Sequence, residues 1–393
     1  MHWLALRLVS GLGTRRSVQL IEAMRTPQCV FRASKSELEA RGISPSVAQS
    51  IASGCSFEDA ALQHEYLKEV GAALVPFSSP LYPERLRTIY DPPLVLFARG
   101  RIELLESLMI AVVGTRRPTA YGKAATERLS YDLAAAGLTI VSGMARGIDT
   151  SAHQAALKAG GKTIAVFGCG VDTVYPAENR KLAGDIAERG LILSEFPMRS
   201  PAYPQNFPVR NRIVSGMSLG VLVVEGAQYS GSAITARLAL EQNRDVFAVP
   251  GNITSQMSWG PNLLIKQGAK LVQEWTDVVG ELDTEHRRRL LAEGRAEVGM
   301  PEQETNQGDQ ASLPLGPSGE ICRAVLDILK VDQPTQLESV LESFEVYSSS
   351  EIIAALFELE MLGLIKQLPG KNFLKVWCTS SGPSVSARPA DAW

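Results

Sequence analysis

The sequence predicts an α/β protein built on a doubly wound, mostly parallel Rossmann-like sheet, and three observations carry that prediction. Leu108 to Val113 is an unbroken apolar run that stops at Gly114, the habit of a strand buried on both faces. Further short apolar runs follow at 138–142, 163–167, 191–195, 219–225, 245–249 and 269–272, with helical patterns between them at 122–136, 147–159, 178–189, 209–217, 232–243 and 261–267. Such strict alternation is the signature of parallel strands joined by crossover helices. Glycine also recurs where strands give way to helices, at Gly114, Gly143, Gly147, Gly168, Gly170, Gly226 and Gly251.

The flanking segments read differently. Residues 1–62 hold short helical patterns around Ser10-Gly11-Leu12-Gly13, closely followed by Arg15 and Arg16. A Gly-hydrophobic-Gly turn between helices is the hairpin of helix–hairpin–helix (SAM-like) domains, which meet DNA phosphates in some proteins and other proteins elsewhere. Residues 63–107 contain strand-like runs at Val70 to Val75 and Leu94 to Phe97, amid Pro76, Pro80, Pro83, Pro92 and Pro93. That proline density predicts a connector of extended segments packed on the core at 108–280. Polar, Gly-, Pro-, Gln- and Glu-rich residues 281–318 read as a linker. Helical patterns return at 319–330, 334–343 and 348–362, followed by an apolar strand pair turning at Pro369-Gly370. Three helices and a β-turn wing predict a winged-helix domain over 319–378, with a disordered Ser-, Pro- and Ala-rich tail at 379–393. The third of those helices carries Glu351, Glu358 and Glu360 and no base, so this domain is expected to meet protein rather than DNA.

Composition narrows the class. Hydrophobic residues at 45% and charged residues at 21% are ordinary globular values, and 393 residues suffice for two or three domains. The net charge of −3 is unevenly spread: residues 1–108 carry 12 basic and 11 acidic side chains, 109–280 carry 17 and 13, and 281–393 carry 10 and 18. A mildly basic centre admits a nucleic-acid partner without requiring one. No apolar run is long enough to span a membrane, and the first 25 residues lack a cleavable apolar core, so a cytoplasmic protein is expected. The cysteines (Cys29, Cys55, Cys169, Cys322, Cys378) stand far apart with no C-x-x-C, which predicts neither a disulfide framework nor a zinc site. With only His2, His64, His153 and His286, a histidine-based metal centre is not expected either.

In an open α/β sheet, ligands bind beyond the carboxyl ends of the strands. The first core strand leads there into Gly114, Thr115, Arg116 and Arg117, and the second into Gly143, Ala145, Arg146 and Gly147. The third ends at Gly168 and Gly170; the fourth leads to Arg199 and then Phe207, Arg210, Asn211 and Arg212. The fifth opens a helix through Ser230, Gly231, Ser232 and Thr235. Arg116, Arg117, Arg146, Arg199, Arg210 and Arg212 share these loops with no lysine. Planar guanidinium forks and repeated helix N-termini suit phosphate oxygens, so an extended anion groove is expected, with Phe207 and Tyr203 as stacking faces. No cofactor is expected. Gly168-Cys169-Gly170 lacks the third glycine of the dinucleotide fingerprint, Thr173 standing there, and neither a Walker A sequence nor a Gly-x-Ser-x-Gly elbow occurs. Asp149 and His153, one helical turn apart, invite a catalytic reading; the simpler one makes Asp149 line the helix start and His153 face the packing side.

Several long motifs stand in order: Gly114-Thr-Arg116-x-x-Thr-x-Tyr121-Gly122, Ser142-Gly-x-Ala-x-Gly147-Ile-Asp149-x-x-Ala-His153 and Phe207-Pro-x-Arg210-Asn-Arg212-Ile-Val-Ser-Gly216. Val224-Glu225, Ser230-Gly-Ser-x-Ile-Thr235-Ala and Val249-Pro-Gly251 follow. Together, over roughly 75–280, the chain resembles the bacterial DNA-processing protein A family (DprA, also called Smf), and the flanking units fit that family's frequent additions. Thr115 departs from the family's usual serine but keeps the hydroxyl. The resemblance implies a non-enzymatic protein that binds single-stranded DNA in natural transformation, protects it and helps load the RecA recombinase. It also implies a homodimer formed through the Rossmann-like domain, with strand contacts from the glycine–serine–arginine loop and the segment matching Phe207 to Arg212. The alternative is a nucleotide-binding or nucleoside-monophosphate-hydrolysing Rossmann-like enzyme. Its Gly-Gly-x-Gly-Thr-x-x-Glu helix opening is only echoed here, with Leu238 at the glutamate's offset. A scaffold acting through its terminal domains alone would leave the arginine-rich loops unexplained.

Overall fold

The computed structural model describes residues 1–228, 230–297, 319–329, 335–344, 347–361, 364–368, 370 and 372–375. Two compact units divide the chain, Met1–Glu281 and a second beginning at Leu282. The first opens with α1 (His2–Leu8), α2 (Thr14–Met24), α3 (Pro27–Arg32), α4 (Lys35–Glu39), α5 (Pro45–Ser53) and α6 (Phe57–Glu69). Gly11 and Gly13 take φ of +77° and +68° between α1 and α2, a conformation without strain only where no Cβ exists. The Gly11-Leu12-Gly13 stretch thus turns the chain from α1 into α2. Buried Leu4, Leu6, Leu20, Ile21 and Ile51 join the same apolar core as the sheet residues Phe97 and Val166.

Nine strands make the main sheet: β1 (Ala73–Pro76), β2 (Val95–Gly100), β3 (Met109–Val113), β4 (Thr139–Ser142), β5 (Thr163–Val166), β6 (Leu191–Ser194), β7 (Gly220–Val223), β8 (Asp245–Ala248) and β9 (Lys270–Leu271). Their order is β1-β2-β6-β5-β4-β3-β7-β8-β9. All pairs from β6 through β9 are parallel, while β1–β2 and β2–β6 are antiparallel. The proline-rich segment thus extends the sheet instead of merely lying on it, and α6 runs across its expected start at residue 63. Every residue of β3 is buried, as its unbroken apolar run requires.

Intervening helices are α7 (Glu84–Arg87), α8 (Ala120–Ala135), α9 (Ile148–Lys158), α10 (Arg180–Arg189), α11 (Asn206–Gly216), α12 (Gly231–Glu241), α13 (Trp259–Lys266) and α14 (Trp275–Val279). From β3 the chain winds outward through β4, β5 and β6, then returns to β7 on the other side of β3. Because such crossovers are right-handed, the reversal sets α8, α9 and α10 on one face and α11, α12 and α13 on the other. It also opens a crevice beside the carboxyl end of β3, the topological switch point.

In the second unit α15 (Thr284–Glu297) is helical within the segment read as a linker; residues 298–318 lie outside the described residues, as does the expected tail at 379–393. Three helices, α16 (Gly319–Ile328), α17 (Leu337–Glu342) and α18 (Ser349–Met361), follow with a three-stranded antiparallel sheet. Its strands are β10 (Thr335–Gln336), β11 (Ile365–Leu368) and β12 (Asn372–Lys375). Cys322, Val325, Ile352, Leu356 and Phe373 form their shared core. Among the described residues no helix is long and apolar enough to cross a membrane, and no group of three or more His, Cys, Asp or Glu side chains is placed to hold a metal ion.

Candidate functional site

The switch-point crevice is a cavity of about 650 Å³. It gathers Gly114, Thr115, Arg116 and Arg117 from the loop after β3, Ala145 and Asp149 from the loop and helix after β4, and Phe207, Arg210 and Asn211 from α11. Ser230, Gly231, Ser232 and Thr235 close it from the start of α12. Gly143, Arg146, Gly147, Gly168, Gly170 and Arg212 do not line it.

Four of those outlying glycines explain how the lining is positioned. A Cβ at Gly147, where φ is +78°, would fall 2.5 Å from the Thr115 carbonyl oxygen, so only glycine lets the Thr115–Arg116 loop lie on the start of α9. A Cβ at Gly143 would occupy the place of the Arg210 guanidinium, and one at Gly168 would stand 2.9 Å from the Phe207 ring. Gly170 gives similar room to the Pro197–Arg199 backbone, 2.9 Å away. Gly143 and Gly168 therefore act as seats for the two α11 side chains that face the ligand space.

The six loop arginines prove to be of three kinds. Arg116 and Arg117 are exposed, and neither pairs with a carboxylate among the described residues. The Arg116 guanidinium instead lies 5.9 Å from the Phe207 ring centroid. Arg146 and Arg199 are exposed but held: Arg146 bonds both Glu178 carboxylate oxygens at 2.7 Å, while Arg199 meets Glu69 at 3.1 Å and covers the Tyr66 ring at 3.5 Å. Arg212 is 6% exposed and donates to Glu195 at 2.9 and 2.7 Å and to Asp91 at 2.9 Å. Burial alone would depress that guanidinium, but the two carboxylates outweigh it and raise its pKa. Each of its three nitrogens thus bonds a carboxylate inside the fold, next to Arg7, which donates to the Glu195 carbonyl at 3.1 Å.

Arg210 is the third kind. It is 5% exposed, its Nε lacks any partner, and it forms no hydrogen bond among the described residues. Burial depresses its pKa, and Asp149 is the first of the charges that oppose this. Asp149 accepts the Gly143 and Ala145 amides at 3.1 and 3.3 Å, fixing the loop after β4. Its own pKa is raised by burial, against the pull of Arg210 and those amides. His153 Nδ1 meets the Thr163 hydroxyl at 2.7 Å, and that hydroxyl donates to the Ile140 carbonyl at 2.8 Å. The imidazole must then donate from Nδ1, which leaves Nε2 as a buried lone pair with no partner. Burial first, and Arg210 second, push His153 down to about 3. Both residues thus serve the framework under Arg210, in line with their simpler reading.

At the far wall, Ser230 caps α12 by accepting the Ala233 amide at 3.3 Å. The amides of Gly231 and Ser232, in the first turn, have no intrahelical acceptor and suit an anion. Tyr175, which sequence reasoning passed over, lines the cavity with its ring centroid 5.4 Å from that of Phe207, tilted by 38°. Its signal was an aromatic residue in the loop after β5, on the edge already singled out. Tyr203, expected to stack, is exposed and lies outside the lining. Met257, also in the lining, carried no pattern that would have found it.

Comparison with known proteins places the chain in a family. The family model described as DNA recombination-mediator protein A matches residues 73–283, more than half of the chain. The chain is 40% identical over 306 residues to Protein Smf of Escherichia coli, covering 78% of each. It is 48% identical over 216 residues to DNA processing protein DprA of Bacillus subtilis, covering 55% of this chain and 73% of that one. The X-ray structure of DNA processing protein A from Streptococcus pneumoniae superposes with a TM-score of 0.65 at 36% identity, covering 72% of this chain and 98% of that one. The chain belongs to the DNA recombination-mediator protein A family.

Proposed function

We propose that this chain is a DNA-processing protein that binds single-stranded DNA in the switch-point cavity and has no catalytic step of its own. One observation carries the reading. Three cations without carboxylate partners (Arg116, Arg117 and Arg210) converge with the Phe207–Tyr175 ring pair and the free amides of α12. Cations and amides take backbone phosphates, and aromatic faces take unstacked bases, the combination a single strand requires and a duplex cannot use. The family's role implies the rest of the proposal: a homodimer through the Rossmann-like domain that protects the strand and hands it to the RecA recombinase, in the cytoplasm. Asp149 and His153 are committed to structural bonds, which supports binding over nucleotide hydrolysis.

The test is fluorescence anisotropy with single- and double-stranded oligonucleotides of one sequence across a salt series, beside a nucleoside-monophosphate hydrolysis assay. Tighter single-strand binding is expected, with little preference among unstructured sequences and no hydrolysis. Equal affinity for duplex, or turnover of a nucleotide, would sink the reading.

A further inference from the structure

The cavity is not the last place a bound strand would meet this chain. Pro208 lines it and also lines a second cleft of about 450 Å³ on the other side of that residue. The second cleft includes Tyr90, Arg244, Leu238 and Gln242. Tyr90 is 72% exposed, a large ring left in solvent at the rim. The Arg15 guanidinium from the first turn of α2 lies over it, 4.1 Å from the centroid. Neither Arg15 nor the adjacent exposed Arg16 has a carboxylate partner among the described residues.

Two arginines, Arg212 and Arg244, and two acids, Asp91 and Glu241, line the cleft. Arg244 is 9% exposed and donates to the carbonyls of Arg85 at 2.6 Å and Gly216 at 3.1 Å, so no carboxylate neutralises it. The two acids of the lining are already engaged, Asp91 by Arg212 and Glu241 by Arg237, which leaves Arg15 and Arg16 at the rim as the cations open to a phosphate. An arginine stacked on an aromatic ring keeps its outer N–H groups for a phosphate, while the rest of the ring offers stacking area. The N-terminal helices belong to the same compact unit as the sheet, so these groups stand in fixed relation to the cavity.

We propose that a single strand leaving the switch-point cavity crosses Pro208 and continues through this second cleft, its base on Tyr90 and its phosphates on Arg15 and Arg16. The proposal rests on the single-strand reading above and adds to it a second subsite that enlists the N-terminal helical segment, giving Arg15 and Arg16 a ligand. Short oligonucleotides fill the cavity alone; longer ones gain the cleft.

The experiment titrates the full chain with labelled oligothymidylates of about 6 and about 20 nucleotides, the range of known single-strand site sizes. Tyr90→Ala and the pair Arg15→Ala, Arg16→Ala are each expected to weaken binding of the long oligonucleotide about tenfold while leaving the short one within about twofold. Tyr90→Phe should retain wild-type affinity for both, since its hydroxyl is not used. Unchanged long-strand affinity in the alanine variants overturns the second subsite, as does an equal loss for both lengths, which would mean the cavity itself was disturbed. Wild-type chain that binds neither length overturns the underlying reading instead.

Discussion

Arg210 and Arg212 sit two residues apart on α11, equally buried, and do opposite things. Arg212 is surrounded by two carboxylates within 3 Å and joins β6, the segment before β2 and the N-terminal helices into one network with Arg7. Arg210 has no hydrogen-bond partner among the described residues and faces a cavity. A buried cation bonded to carboxylates through each of its nitrogens is an internal tie. One held in place by packing on Gly143, with no hydrogen bond among the described residues, is the one that the proposed function assigns to an incoming phosphate. The neighbourhood of each arginine, not the residue type, assigns its task.

The sharpest way to break this contrast is Arg212→Ala. It strands Glu195, only 3% exposed, as an unpaired buried charge, and the expected loss is about 3–5 kcal/mol in urea-unfolding stability. A loss under about 1 kcal/mol would show that Arg212 is not the tie described.

Next in size is the acid sensitivity of the framework under Arg210. His153 is neutral in the folded chain, with a pKa near 3 against 6.5 when unfolded. The unfolded chain therefore binds the extra proton first, so the stability this residue contributes is complete above 6.5 and is lost as pH falls toward about 3. The expected slope is about 1.4 kcal/mol per pH unit within that window. His153→Gln should flatten it; an unchanged slope would remove His153 from the account.

On the receptor side, Arg116→Ala is expected to leave unfolding stability unchanged and to lower single-strand affinity several-fold, reducing the salt dependence by about 0.7 in log–log slope. Unchanged affinity and slope would break the assignment of the free arginines. The smallest effect sharpens the intermediate class. Glu178→Gln releases Arg146 from its bidentate pair, and single-strand affinity should rise about twofold to threefold at low salt, converging with wild type as salt increases. No gain would mean that a held surface arginine contributes nothing when freed.

How much of this could be read without coordinates differs between fold and site. The strand runs from Leu108 onward placed every core strand within two residues, because a strand buried on both faces must be apolar throughout and the turns after it need glycine. The antiparallel addition of β1 and β2 to the sheet was hidden by prolines; Pro76 lies in β1, where its missing donor is tolerated because an edge strand leaves one side unpaired, and Pro92 and Pro93 come before β2 begins. Of α15 only a charged helix end at His286 to Arg289 could be read, because a helix so rich in charge has little apolar periodicity to mark its length.

By itself the sequence determined the alternation of strands and helices, the crowding of arginine and glycine at one end of the sheet, and through ordered motifs the family. Those features are local: they depend on the period of apolar residues, on φ angles only glycine adopts, and on short spacings along the chain. Only the tertiary structure decided which arginine is free. Glu195 lies 17 residues from Arg212 and Asp91 lies 121 away, while Glu69 reaches Arg199 across 130. Tyr175 likewise reached Phe207 only when the loop after β5 and α11 came together. Charge pairing and ring contact act over a few ångströms in space, and sequence distance carries no information about them until the chain has folded.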